Sequence, residues 1–261
     1  MKNIRPALYA LRAVAIGAIA SFSPCIAEEP AARKWTQTAA FDAPEAHQAA
    51  AANERFFYAI ANSKIAKYDR GTGKPVATST GDAQHLNSGF FWKGKLYCAH
   101  SNYPRTPERS EIMVLDPASM QLTSHKDFGN FGGSLTWAVM HDEHWWCNFA
   151  RYGAQNSETF LVKFDSKWRE VARWTYPPSV IKELGRNSLS GGIWWEGSLL
   201  VTGHDDPVLF RLKVPESGKV LELVEMHAAP FTGQGIASDP LGGLVGIHRS
   251  KRKVIFAKLD D

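Results

Sequence analysis

The sequence is poor in the features that would classify it at a glance. It has three cysteines in 261 residues. One of them, Cys25, falls in an N-terminal leader. The other two, Cys98 and Cys147, occupy the same column of an internal repeat, on equivalent strands of neighbouring units, farther apart than disulfide geometry allows. They read as small buried hydrophobes, so cross-links do not carry this fold. A glycine loop of the Walker or dinucleotide type is missing, which removes the usual phosphate cradles. Ser190 in NSLSGG has no partner arrangement specific to a serine nucleophile. The apolar run from Ala13 to Phe22 is too short to span a bilayer. A surplus of positive charge is also missing. The formal net charge is +4, but Lys2, Arg5 and Arg12 belong to the leader. Without residues 1–27 there are 27 basic against 26 acidic side chains, a net charge of +1. Nucleic acid is therefore not an expected partner, because binding it needs a basic face.

What is present begins with the leader itself. Basic residues, the Ala13–Phe22 run and the small-residue site Cys25-Ile26-Ala27 before Glu28 make residues 1–27 a secretory signal. Cleavage is expected after Ala27, with a periplasmic or secreted product and no membrane span. Residues 28–34 read as a flexible leader, and residues 35–261 as one domain.

That domain is organised by a sixteen-residue frame. Its clearest copy is HLNSGFFWKGKLYCAH at 85–100, and further copies start at 47, 134, 189 and 233. Each copy opens polar or glycine-rich, runs through small or apolar residues, turns on a polar or glycine tip and ends in an apolar strand, as a β-hairpin does. Starts spaced 38, 49, 55 and 44 residues apart fit an array with a period of about 40–50 residues. After each of the first four hairpins come two more strands: Ile65–Asp69 and Pro75–Thr80; Ile112–Asp116 and Leu122–Phe128; Leu161–Asp165 and Glu170–Tyr176; Val208–Leu212 and Val220–His227. The fifth copy has a third strand, Lys253–Lys258, and no fourth. The alternating segment Trp35–Phe41 fills that place. The expected fold is all-β: a five-bladed β-propeller closed by an N-terminal strand that completes the last blade. Six blades would need another frame, and the sequence has none.

The strand–Asp–turn–strand units IAKYDRGTGK and IMVLDPASMQL are similar to those of bacterial quinoprotein-like and surface-layer-type propellers. The blade count, size and signal, with Gln48 in AHQAAA and the GQGIASD segment, resemble the plant and bacterial glutaminyl-peptide cyclotransferases. That resemblance implies a five-bladed propeller enzyme with its inner-strand glutamine at Gln48. Where the family carries a catalytic glutamate on its second inner strand, this chain has Asn87 and Ser88.

In a propeller the first and last residues of each hairpin frame meet at one mouth of the central channel. This rule gathers His47, Gln48, His85, Asn87, His100, Asn187, Ser188, His204, Gln234 and His248 on one face. The opposite face receives the hairpin tips, with Lys93, the HDEH segment 141–144 and Glu196, and reads as a plain charged surface. The loops 101–111 and 150–159, and the segment 177–186 with room for a short helix, also belong to the histidine face. Long loops gathered on one face tend to carry function.

Histidine is a frequent acid or base near neutral pH and the commonest metal ligand. His85, His100, His204 and His248 are the candidate catalytic residues. Gln48, Asn87, Trp137, Arg151, Asn187, Ser188, Asp205 and Arg249 are the candidate substrate contacts. Arg151 and Arg249 are suited to holding a carboxylate, and Asp205 to orienting a histidine. Two arrangements stay open: His100, His204 and His248 enclosing one divalent metal ion with Gln234 or Asn87 as an oxygen ligand, or each histidine hydrogen-bonding separately. A histidine-rich wall is expected to face an apolar one formed by Trp137 and Phe149. The expected activity is that of a lyase, cycloisomerase or lactone hydrolase acting on a small polar or anionic molecule, with the protein a monomer. The alternatives are a non-catalytic propeller binding a glycan, peptide or partner loop, and a glutaminyl-peptide cyclotransferase-like enzyme.

Overall fold

A computed structural model describes residue 1 and residues 34–260; the expected signal and its cleavage site lie outside the described residues. The chain opens with β1 (Trp35–Asp42) and then builds five sheets in sequence. Blade one holds β2 (Ala49–Ala52), β3 (Phe56–Ile60), β4 (Ile65–Asp69) and β5 (Pro75–Thr78). Blade two holds β6 (His85–Trp92), β7 (Lys95–Ser101), β8 (Ser110–Leu115) and β9 (Leu122–Gly129). Blade three holds β10 (Ser134–His141), β11 (His144–Ala150), β12 (Phe160–Phe164) and β13 (Glu170–Thr175). Blade four holds β14 (Gly191–Trp195), β15 (Ser198–Thr202), β16 (Val208–Lys213) and β17 (Glu222–Ala228). Blade five holds β18 (Ala237–Ser238), β19 (Leu244–His248) and β20 (Lys253–Leu259). Its fourth strand is β1, paired antiparallel with β20 from Trp35↔Leu259 to Asp42↔Lys253.

The burial of the strands follows from the architecture. Inner strands are covered on both sides by neighbouring blades, so β2 is four alanines, all buried, and β15 is buried throughout. Outer strands have one wet face, and β17 alternates exposed and half-buried residues with period two. Three of the hairpins turn through two consecutive left-handed residues: Lys93-Gly94, Asp142-Glu143 and Glu196-Gly197. That backbone twist is the one that matches two paired strands. The short helix α1 (Pro178–Leu184) forms within 177–186, with proline in its first turn.

Cys98 and Cys147 are buried free thiols, and burial pushes both pKa values up. Closure also involves packing. Trp35 of β1 meets Trp195 of blade four edge-on at 5.3 Å. Phe41, at the other end of the strand, stacks on Phe57 of blade one at 4.9 Å.

Near the starts of the inner strands, hydrogen bonds join neighbouring blades. Gly235 N–H donates to Gln48 O, Asn87 Nδ2 to Leu135 O, Thr136 Oγ1 to Leu189 O, and Thr202 Oγ1 to Gln234 O. Two glycines permit this close approach. A Cβ on Gly235 would lie 2.6 Å from Ala49 Cβ and 2.8 Å from Ser88 Cα, and one on Gly192 would lie 2.5 Å from the Trp137 ring.

Candidate functional site

On the histidine face, three blades meet around one arginine. Arg249 follows β19, at the start of a single 3-10 turn. Its Nη1 lies 3.3 Å from His204 Nε2, and its Nη2 lies 3.3 Å from His47 Nε2. His204 follows β15 of blade four, and His47 precedes β2 of blade one. A guanidinium only donates, so both Nε2 atoms accept and each ring carries its proton on Nδ1. The other contacts fit this tautomer. His47 Nδ1 lies 3.2 Å from Asn62 Oδ1, and His204 Nδ1 lies 2.6 Å from Asp205 Oδ2. Burial and then the charge of Arg249 hold the His47 pKa below its ordinary value. Asp205 is the carboxylate that reaches Arg249, with Oδ1 3.6 Å from Nη1, longer than a charge-assisted hydrogen bond. The half-buried cation is thus held by two neutral imidazoles and one distant carboxylate.

His85, at the start of β6, faces the same mouth. Its pKa is lowered by burial, then by His100, and further by His47 and Arg249. Its ring lies 5.5 Å from Tyr103, and Tyr103 lies 4.9 Å from Tyr152. These tyrosines come from the two long loops of blades two and three. Glu108 closes this side by accepting a hydrogen bond from Ser134 Oγ at 3.2 Å. Burial, and the neighbouring Tyr103 and Glu108, push the Tyr152 phenol pKa up.

The structure redistributes the residues singled out from the sequence. His204, Asp205 and Arg249 stand together with His85 nearby, and His47 joins them. His100 does not join them as a free group. It is buried, its Nε2 accepts from Gln84 N–H at 2.9 Å, and its Nδ1 lies 2.9 Å from Glu111 Oε1. The His100 hydrogen bond in turn holds the Glu111 pKa down. His248 lies apart, with Nδ1 3.4 Å from Ser250 Oγ. Gln234 is buried and left-handed, and its Nε2 donates to His204 O at 2.5 Å. The metal set of His100, His204, His248 and Gln234 is therefore not assembled, because the nitrogens of His100 and His204 have other partners. Among the described residues, no group of three or more His, Cys, Asp or Glu is placed to hold a metal ion.

Several candidate substrate contacts are committed to the scaffold. Gln48 Nε2 donates to Asn62 Oδ1 at 2.5 Å, and Asn87 is tied to Leu135 O. Ser188 Oγ lies 3.1 Å from Thr159 Oγ1. Arg151 lies 3.5 Å from Glu158, and Asn187 is exposed beyond α1. Trp137 and Phe149 are fully buried, so neither forms a wall of the mouth. Trp137 instead fills the space left by Gly192. Tyr103 and Tyr152 are the aromatic residues beside His85 instead. Their only sequence signal was their position in long loops.

Neither a family model nor a curated protein matches this chain. Among solved structures, it is similar to Myxococcus xanthus glutaminyl cyclase, with a TM-score of 0.60 and 10% identity over 87% of this chain and 97% of that one. This likeness establishes the fold. A chain of a mitotic checkpoint complex and Kuenenia stuttgartiensis hydrazine synthase superpose less well, with TM-scores of 0.46 and 0.45. They cover 87% and 86% of this chain, and 95% and 72% of their own, at 11% identity.

Proposed function

We propose that the mouth around Arg249 binds a small carboxylate-bearing molecule and moves a proton on it, as a lyase, cycloisomerase or lactone hydrolase does. The observation that carries this reading is the half-buried guanidinium held by two neutral imidazoles, with its one carboxylate at 3.6 Å. An incoming carboxylate satisfies that fork through two parallel hydrogen bonds and frees His204 Nε2 to accept a proton. Asp205, at 2.6 Å from Nδ1, fixes the tautomer and stabilises the imidazolium that forms. His85 borders the same mouth, and the rings of Tyr103 and Tyr152 lie beside it. The chain is proposed to act as a monomer outside the cytoplasm.

Calorimetric titration of the purified protein with a panel of small hydroxy- and keto-carboxylates tests the binding. We expect saturable binding to the native protein and loss of about tenfold or more in affinity for Arg249→Gln. Equal affinity in both would overturn the reading. His204→Gln separates catalysis from binding, since it should retain the ligand and lose turnover. Turnover retained by that variant would remove His204 from the chemistry, and ligand binding without turnover in the native protein would leave the non-catalytic binding propeller as the better account. The likeness to a glutaminyl cyclase gives one further assay, cyclisation of a peptide with N-terminal glutamine. No turnover is expected, because Asn87 and Ser88 put no carboxylate on the second inner strand.

A further inference from the structure

The tip face is not a plain charged surface. The ends of the inner strands surround a cavity of about 660 Å³, and none of its lining residues belongs to the Arg249 mouth. Its walls include Phe56 of blade one, Phe90, Phe91 and Trp92 of blade two, His141 of blade three and Trp194 of blade four. Ala52, at this end of β2, is the small residue that blade one's inner strand contributes to the wall. Binding cavities for small organic molecules fall in the range of about 300–1,000 Å³ and are lined mostly by apolar and aromatic groups. Two of the walls are flat: His141 lies parallel to Trp194, with centroids 4.3 Å apart and a 14° interplanar angle.

Charge on the rim is divided. On the side of blades one and two, Arg55 lines the cavity with its guanidinium 5.0 Å from the Phe56 ring, while Lys93 Nζ, outside the lining, is 4.4 Å from the Trp92 ring and Lys67, 4.1 Å from Phe56, donates to Pro117 O. Glu54 is the acidic residue on that side. The opposite side carries Asp142 and Glu143, both exposed at the blade-three turn. Arg55 is exposed, and among the described residues no carboxylate lies within ion-pair distance of its guanidinium, although its charge, after hydrogen bonds from Thr72, helps hold the Asp69 pKa down. We infer that this cavity is a second binding site, independent of the Arg249 mouth, for a flat aromatic molecule with one anionic group. The ring system lies among Phe90, Phe91, Trp92 and Trp194, and the anionic group points to Arg55.

Anilinonaphthalene sulfonate, a flat fluorescent anion, and phenylnaphthylamine, its neutral relative, are the probes that test this. Fluorescence titration of the native protein should show one saturable site per chain for both, with the sulfonate bound more tightly. Arg55→Glu should weaken the sulfonate about tenfold and leave the neutral probe unchanged. Ser238→Trp, from an exposed position on the cavity wall, should abolish binding of both. Met140→Trp fills the cavity from another wall if the first variant does not fold. Arg249→Gln should change neither titration. Binding that survives both tryptophan variants, or no saturable binding to the native protein, would overturn the site. A sulfonate that binds no tighter than the neutral probe, or that ignores Arg55→Glu, would overturn the anionic ligand class.

Discussion

At the scale of single residues, the histidines divide by what their second nitrogen does. His47 and His204 turn Nε2 toward a cation that a ligand can draw away. Both nitrogens of His100 face the scaffold, one taking a backbone N–H and the other meeting Glu111. Truncating a buried, doubly bonded side chain leaves its partners unsatisfied, at a cost of about 1–3 kcal/mol. His100→Ala should therefore lower the unfolding free energy by that much, read as a lower urea midpoint, while leaving carboxylate affinity within about twofold. A stable variant with lost affinity would return His100 to the binding site. The same nitrogen assignments predict that dialysis against a chelator leaves ligand binding unchanged. A chelator-sensitive affinity, restored by one divalent ion, would contradict them.

Two elements invite tests of their own. The turns of blades two and four place glycine at the second left-handed position, Gly94 and Gly197, whereas blade three places Glu143 there at φ 59°. A left-handed non-glycine residue costs about 1–2 kcal/mol, and glycine gives part of that back in unfolded-state entropy. Glu143→Gly should thus stabilise the protein by about 0.5–1 kcal/mol, read as a higher urea midpoint at constant slope. A lower midpoint would mean that the Glu143 side chain does more than occupy the turn. The second element is β1, which pairs with β20 and packs on Trp195 and Phe57. A chain starting at residue 43 loses this strand and exposes the edge of β20. It should unfold well below the chain starting at residue 28 or fail to remain soluble. Coincident thermal midpoints would show that the ring closes without it.

For the whole molecule, acid stability follows from the buried imidazoles. His47, His85 and His248 each have a folded pKa below the ordinary histidine value, with burial as the first cause. The unfolded chain, with histidines near pKa 6.5, binds more protons than the folded one just below that pH. Stability is therefore full above about pH 6.5 and is lost as the pH falls through the folded values. Urea unfolding at pH 7.5 should require more denaturant than at pH 5.5, above the range in which carboxylates titrate. His85→Gln should flatten that difference. An unchanged pH dependence in this variant would remove His85 from the account.

Much of the fold was legible in the chain because strand and turn signals are local. IAKYD followed by RGTGK marks a strand and its turn without reference to any other blade. The missing fourth strand after β20, set beside the orphan segment at Trp35, was enough to indicate closure. The frame also placed the histidines on one face, since the ends of a hairpin must share a side. The sequence did not show which nitrogens would be free. His100 and His204 end equivalent frames, yet one meets Gln84 and Glu111 while the other meets Arg249, and those partners lie in neighbouring loops and blades. The tip-face cavity was hidden for the same reason. Ala52 looks unremarkable in a strand, and becomes part of a cavity wall only when Phe90, Phe91 and Trp194 from other blades form the remaining walls. Local periodicity fixes strands and their faces, whereas the packing of side chains from separate blades decides which polar atoms and which empty spaces face a ligand.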